Sequence, residues 1–298
     1  MQISVIISGL SMLYGNDLGR GLLETARLAD DAGIDQLVMT DHLAMGPRVE
    51  KYPYGKFPFP LEEPWPEPLT TLAAMAGATR RVRLGTGVLI APLRPALLLA
   101  KTLATLDVLS QGRLDLGVGT GWQAEEFAGA GQPFAGRGSR MDDTLRACRA
   151  LWRDAPASFS SATVSFEELW CFPRPVQADG IPIWFGLRLN PRNVARIVEF
   201  GAGWMPLLDR EEELWSGVER LRSAFREAGR DPDALGVRVS PEIARDASGR
   251  VDLEKTLDAL PKLEAAGASV ASFALAACVR RRDEIPAFLE RLGRGGAR

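Results

Sequence analysis

The chain holds one histidine, His42, and it follows an acid in the run Thr40-Asp41-His42, directly after the apolar stretch Leu37-Val38-Met39. An imidazole titrates near neutral pH and is the commonest general acid or base. An adjacent carboxylate such as Asp41 could hold its charge state. The other reading is a histidine that packs and hydrogen-bonds beneath the long loop that follows. A lone histidine excludes any multi-histidine metal site, so no metal is expected. Three more places gather glycine and polar residues after apolar runs: Gly85-Thr86-Gly87-Val88, then Gly117-Val118-Gly119-Thr120-Gly121-Trp122 with Glu125 and Glu126 close behind, then Trp184-Phe185-Gly186-Leu187-Arg188. Glycine lets backbone approach a planar ring closely and exposes amides that can bind phosphate. The same glycines could serve only tight packing at the ends of strands. Glu125 and Glu126 could be helix acids placed in a first turn, where the dipole favours them.

The elements that carry these residues alternate along the whole chain. Short apolar runs are expected as strands at 3–7, 37–39, 82–84, 114–118, 181–185, 204–207, 235–239 and 270–275. Helical periodicity fills the intervals at 17–32, 69–79, 96–109, 141–153, 191–200, 211–228, 253–266 and 283–292. Asp17 is placed to cap the first helix and Gly33 to stop it, and Pro95 suits the first turn of the 96–109 helix. Strands joined by helices run parallel, and eight such pairs can close into a (β/α)8 TIM barrel. An open doubly wound sheet would start with a glycine-rich phosphate turn. Here the first strand runs into Ser8-Gly9-Leu10-Ser11-Met12 instead. The expectation is one α/β barrel domain over 1–298. Segments 43–68 and 155–180, rich in proline, are read as irregular insertion loops at the C-terminal face. That face is where barrel active sites lie, and it is where the four polar clusters fall.

Composition narrows the setting. Hydrophobic residues make up 46% and charged residues 25%, and the formal net charge is −2, which gives no electrostatic footprint for a nucleic-acid partner. The arginine runs 80–83 and 280–282 are read as solvated element ends. Three cysteines, Cys148, Cys171 and Cys278, form no disulfide framework and suit a reducing compartment. The first residues lack a signal-peptide pattern, and no apolar run reaches the roughly 18 residues of a membrane span. A cytoplasmic location with no membrane partner is therefore expected.

Several of these runs, taken in order, resemble the luciferase-like oxidoreductases. They are Leu84-Gly85-Thr86-Gly87-Val88 with Leu106-Asp107; Gly112-Arg113-Leu114-Asp115-Leu116-Gly117-Val118-Gly119-Thr120-Gly121-Trp122 with Glu125-Glu126-Phe127; Arg137-Gly138-x-Arg140-x-Asp142; Pro173-x-Pro175-Val176-Gln177; Ile181-Pro182-Ile183-Trp184; and Gly201-Ala202-Gly203-Trp204. The likeness covers roughly residues 1–210. Asp41-His42-Leu43 and Tyr52-Pro53-Tyr54-Gly55 leading to Trp65-Pro66-x-Pro68-Leu69 are similar to the branch that uses the deazaflavin coenzyme F420.

The resemblance implies a redox enzyme that moves a hydride between F420 and a small organic substrate. An FMN-dependent monooxygenase on the same fold is the alternative, and a non-catalytic cofactor-binding protein is the alternative of another class. The resemblance also implies catalytic roles for His42, as proton donor or acceptor, for Asp41, beside the ring or orienting the histidine, and for Glu126. The ring is expected near Asp41, Gly87, Val88 and Gly119, with a non-proline cis peptide at Gly87–Val88. The phosphate is expected near Thr120, Gly121, Gly186 or Arg188, while Trp122 shapes the cofactor or substrate side. Tyr52, Tyr54, Phe57, Phe59 and Trp65 would wall an apolar substrate pocket. Pairing into a homodimer is a habit of the family. One departure stands out. Relatives carry Gly-Gly-x-Ser where this chain has Gly186-Leu187-Arg188-Leu189, so Arg188 is expected either to replace amide contacts by a direct charge pair or to mark a changed cofactor.

Overall fold

The computed structural model describes residues 1–207 and 213–296. Eleven strands are formed among the described residues: β1 (Gln2–Ile6), β2 (Gln36–Met39), β3 (Arg83–Thr86), β4 (Leu89–Ile90), β5 (Leu114–Gly119), β6 (Ala157–Ser160), β7 (Ser165–Leu169), β8 (Ile183–Leu187), β9 (Gly201–Pro206), β10 (Gly236–Val239) and β11 (Val270–Ala274). Eight of them, β1, β2, β3, β5, β8, β9, β10 and β11, pair in parallel in that order, and β11 returns to β1, so the sheet is a closed barrel. The two-residue β4 is a spur on the C-terminal half of β5. The strands read as near-continuous apolar runs because a parallel barrel is covered on both faces; β5 is buried at every position.

Helices cover the barrel where the periodicity places them. Ala96–Leu109 and Pro191–Phe200 begin and end as expected, and a proline fixes the start of each. Asn190 caps the second through the Asn193 amide, and Glu67 caps Pro68–Ala78 through the Thr70 amide. Four expectations need correction. Asp17 stands at the head of Leu18–Asp31, but its side chain makes no capping bond, because a 3-10 turn at Gly15–Asp17 leads the chain in. Residues 253–266 form two short helices, Leu253–Asp258 and Leu260–Ala265; Pro261 has no N–H to continue the ladder. Segment 155–180 is not wholly irregular, since β6 and β7 form an antiparallel hairpin in which Phe159 faces Phe166. Arg83 is no solvated element end: its guanidinium forks onto the buried Asp115 carboxylate at 2.7 and 2.8 Å. The described part of the expected 211–228 helix is Glu213–Glu227; residues 211 and 212 lie outside the described residues.

Some of the motifs that carry the family likeness are scaffold. Asp107 accepts from the Val176 amide and the Gln177 side chain, pinning the 173–177 run to the helix below. Asp142 accepts both prongs of the buried Arg196 guanidinium. Asp30 is another such clamp. Its carboxylate accepts the amides of Arg80, Arg81 and Val82 at 2.9, 2.8 and 2.7 Å and so holds the entry to β3. Burial works against the Asp30 charge, yet the three amides outweigh it and hold the carboxyl below its ordinary range. A carboxyl lowered on folding stabilises the protein above its unfolded value and loses that contribution as pH falls through the folded value. Asp30→Asn is therefore expected to cost about 1.5–3 kcal/mol at pH 7. In urea melts the gap to the parent should close as pH drops below the ordinary carboxylate range; a gap that is the same at every pH would refute the assignment.

Candidate active site

The C-terminal ends of the barrel strands surround one cavity of about 1110 Å³. Asp41 and His42 reach it from β2, Gly87 and Val88 from β3, Gly119 to Trp122 from β5, and Gly186 from β8. Glu126 and Arg188 are absent from this wall, and of the loop rings expected to form it Tyr52 and Tyr54 line the cavity while Phe57, Phe59 and Trp65 do not, because they pack on one another and on His42. Glu126 lies behind His42. Arg188 is exposed, with its guanidinium 5.9 Å from the ring of Tyr54, which does line the cavity.

Two strand ends fix His42 from opposite sides. Thr40-Asp41-His42 leaves β2, and Glu126 lies on the short helix Ala124–Gly129 that follows β5. Glu126 is 3% exposed, so it is more than a first-turn acid. Its Oε2 is 3.2 Å from His42 Nδ1, and its Oε1 accepts the Leu43 amide at 2.6 Å. One carboxylate thus holds both the imidazole and the start of the long loop. A carboxylate on Nδ1 keeps the proton there and leaves Nε2 as the working nitrogen. Nε2 has no hydrogen-bond partner among the described residues. The rings of Trp65 (4.9 Å), Trp122 (6.0 Å) and Phe57 (6.2 Å) meet His42 edge-on and restrict its tilt.

Asp41 does not hold the histidine; its carboxylate is taken by another partner. Arg94 forks onto it at 2.6 and 3.0 Å, and the Ile90 amide donates to it at 2.8 Å. The Asp41 side chain is fully buried, and Arg94 also binds Glu67 at 2.8 Å. Burial opposes the Arg94 charge, but the two carboxylates outweigh it and hold the guanidinium above its ordinary value. Burial likewise opposes the Glu67 charge, and the Thr70 amide with Arg94 still holds that carboxyl below the usual range. Asp41 thereby fastens the end of β2 to the 90–94 segment beside the cavity.

The peptide bond Gly87–Val88 is cis, as the resemblance implied. The Val88 side chain fills the space that neighbouring glycines leave. A Cβ on Gly119 would come within 2.6 Å of Val88 Cγ2, and one on Gly186 within 2.5 Å of Val88 Cγ1. Both glycines are thus needed for packing around Val88, while their backbones face the cavity. Gly121 has φ +71°, and a Cβ there would also meet Ile90. The same cavity wall includes Tyr52, Tyr54 and Trp122; Tyr52 lies 5.3 Å from each of the other two rings. Burial pushes both tyrosine phenols up, so they stay protonated at neutral pH. The loop rings pack mainly on one another, Phe57 with Phe59 and Phe59 with Trp65. Besides the Leu43 anchor, Gln123 ties the Gly46 amide down at 2.7 Å.

Sequence reading missed Arg94, Gln123 and Arg238, the last of which reaches the cavity from β10. For Arg94 a signal existed: it is the only charge between Val88 and Ala100. Isolated charges in apolar runs are buried only when paired. The cavity has room for a flavin-sized ring with a substrate beside it. The backbone-lined ridge at Val88 and the aromatic rings in the same wall suit a flat ring system, so the residues present fit a flavin or deazaflavin.

Comparison with known proteins agrees with this geometry. An uncharacterized protein of Mycobacterium tuberculosis is 31% identical over 240 residues, covering 77% of this chain and 83% of its own length. The F420-dependent glucose-6-phosphate dehydrogenase of Mycolicibacterium smegmatis is 30% identical over 247 residues, covering 80% of this chain and 68% of that protein. Among solved structures, monooxygenase RslO1 from Streptomyces bottropensis superposes with a TM-score of 0.83 at 22% identity, covering 99% and 98% of the two chains. Among the described residues no helix is long and apolar enough to cross a membrane. The luciferase-like monooxygenase profile matches residues 3–274, and the chain belongs to that family of flavin- and deazaflavin-using oxidoreductases.

Proposed function

We propose that this chain is an F420-dependent oxidoreductase that moves a hydride to or from a small organic substrate, with His42 handling the accompanying proton. The observation that carries this reading is the buried His42–Glu126 pair, whose histidine lines the cavity next to the Val88 ridge. A bound deazaflavin supplies a hydride acceptor or donor and no activation of oxygen. The chain supplies the rest. Gly87, Val88 and Gly119 give the ring a surface, and Thr120, Gly121 and Gly186 offer backbone to the phosphate, with Arg188 at the rim. Trp122 and the loop tyrosines keep water from the reacting carbon. His42 Nε2 takes the proton from a substrate hydroxyl in dehydrogenation and returns it to a carbonyl oxygen in reduction. Glu126 offsets the imidazolium charge that results. The F420-dependent relative at 30% identity supports this choice. The flavin-dependent trigonelline monooxygenase of Acinetobacter baylyi, 28% identical over 211 residues, keeps an FMN-dependent reaction as the second reading.

The test is a titration of the purified protein with F420 and FMN side by side. F420 is expected to bind at least roughly tenfold more tightly, a difference of about 1.4 kcal/mol. Tighter FMN binding, with oxygen consumed on reduction, would select the monooxygenase.

A further inference from the structure

Strand β10 reads Gly236-Val237-Arg238-Val239, so alternation places Arg238 opposite its two valine neighbours. Arg238 is 5% exposed and lines the same cavity as His42. Its surroundings do little to satisfy it. Nη1 lies 3.2 Å from the Met205 sulfur, a weak acceptor, and the guanidinium sits 4.9 Å from the Trp184 ring centroid. Nε and Nη2 have no acceptor among the described residues. The acid whose charge reaches Arg238 is Asp115, but its oxygens are taken by Arg83 and Gln36. Burial pushes the guanidinium down to about 10, which still leaves it charged at neutral pH. Ser272 Oγ, on the neighbouring strand β11 and also in the cavity wall, has no partner either. A buried cation without a counter-charge is costly, and proteins rarely keep one.

Taking the proposed redox reading of this cavity as its basis, we propose that Arg238 and Ser272 form the receptor for a carboxylate of the substrate. Nε and Nη2 are unpartnered but shielded from solvent, so this edge is the fork that a carboxylate meets with two parallel hydrogen bonds once the side chain turns toward the cavity. Ser272 Oγ–H can donate a third. The substrate class is then a small organic acid that bears its reacting alcohol or carbonyl carbon apart from the carboxylate. The acid group is anchored at Arg238 while the reacting carbon faces His42.

The experiment uses the full chain without cofactor and titrates benzoate and acetate against benzamide and acetamide by calorimetry. Carboxylates should bind and the amides should not. Arg238→Gln should weaken carboxylate binding roughly 10- to 100-fold, and Arg238→Lys should restore part of it. Arg238→Met should not lower the melting temperature, because no ion pair is lost. Equal binding of acids and amides, or carboxylate affinity unchanged in Arg238→Gln, overturns the proposal. A third arm titrates oxidised and reduced cofactor. If Arg238→Gln leaves carboxylate affinity intact and weakens only reduced F420 or FMN, the guanidinium serves the cofactor ring and the proposal falls. If neither cofactor binds while carboxylates still depend on Arg238, the receptor stands and the redox reading fails.

Discussion

His42→Asn is expected to lower turnover by about 10²–10⁴-fold, the usual contribution of a positioned general acid or base. The loss should fall on the chemical step. Asparagine keeps a side-chain amide near Glu126 but offers no proton carrier where Nε2 stood. Cofactor affinity and the near-UV circular dichroism should match the parent, because Glu126 still holds the Leu43 amide and so the root of the loop. Single-turnover kinetics separate the step from binding. A variant with parental turnover, or one that fails only because cofactor no longer binds, would make His42 a packing residue. The proton would then have to come from water or from one of the loop tyrosines.

Removing the Arg94 guanidinium should give the largest loss of stability. Arg94→Leu strands Asp41, whose side chain is fully buried, with only the Ile90 amide left as a partner. Breaking one half of a buried pair costs about 3–5 kcal/mol, because the remaining charge is uncompensated. Arg94→Lys keeps the charge and loses the two-pronged contact, so it should fall between. The double variant Arg94→Leu with Asp41→Asn should recover part of the loss, since the stranded charge is gone. Urea unfolding midpoints provide the check. An Arg94→Leu protein that unfolds at the parental urea concentration would show that the pair contributes nothing.

The barrel was legible because each strand is a short apolar run with a helix on either side, and glycine or proline marks the changes. Where proline fixes a helix start, as at Pro191, the boundary was readable to the residue. The β6–β7 hairpin was not readable. Its strands are half exposed and rich in serine and glutamate, so only Ala157, Phe159, Phe166 and Leu169 carry the apolar signal. In the site, the strand ends pointed to the cavity, but the pairings did not. Asp41 and His42 are adjacent in sequence, yet their partners lie 53 and 84 residues away. Neighbouring residues leave a strand end in different directions, and nothing local says which acid meets which base. Arg238 follows the same logic. A lone charge in a valine strand signals burial, while what it faces is decided by the tertiary fold.

The long loop has a consequence for how such a protein can change. Its rings pack on one another, and Glu126 and Gln123 tether its root at Leu43 and Gly46. The loop therefore has a small core of its own, yet Glu67 also joins the Arg94–Asp41 cluster and Phe57 and Trp65 pack on His42. Substitutions at Tyr52 and Tyr54, which line the cavity, can change its shape without touching the Arg94–Asp41 cluster. Specificity and fold therefore separate at Tyr52 and Tyr54, and they meet at Glu126, at the rings on His42 and at Glu67.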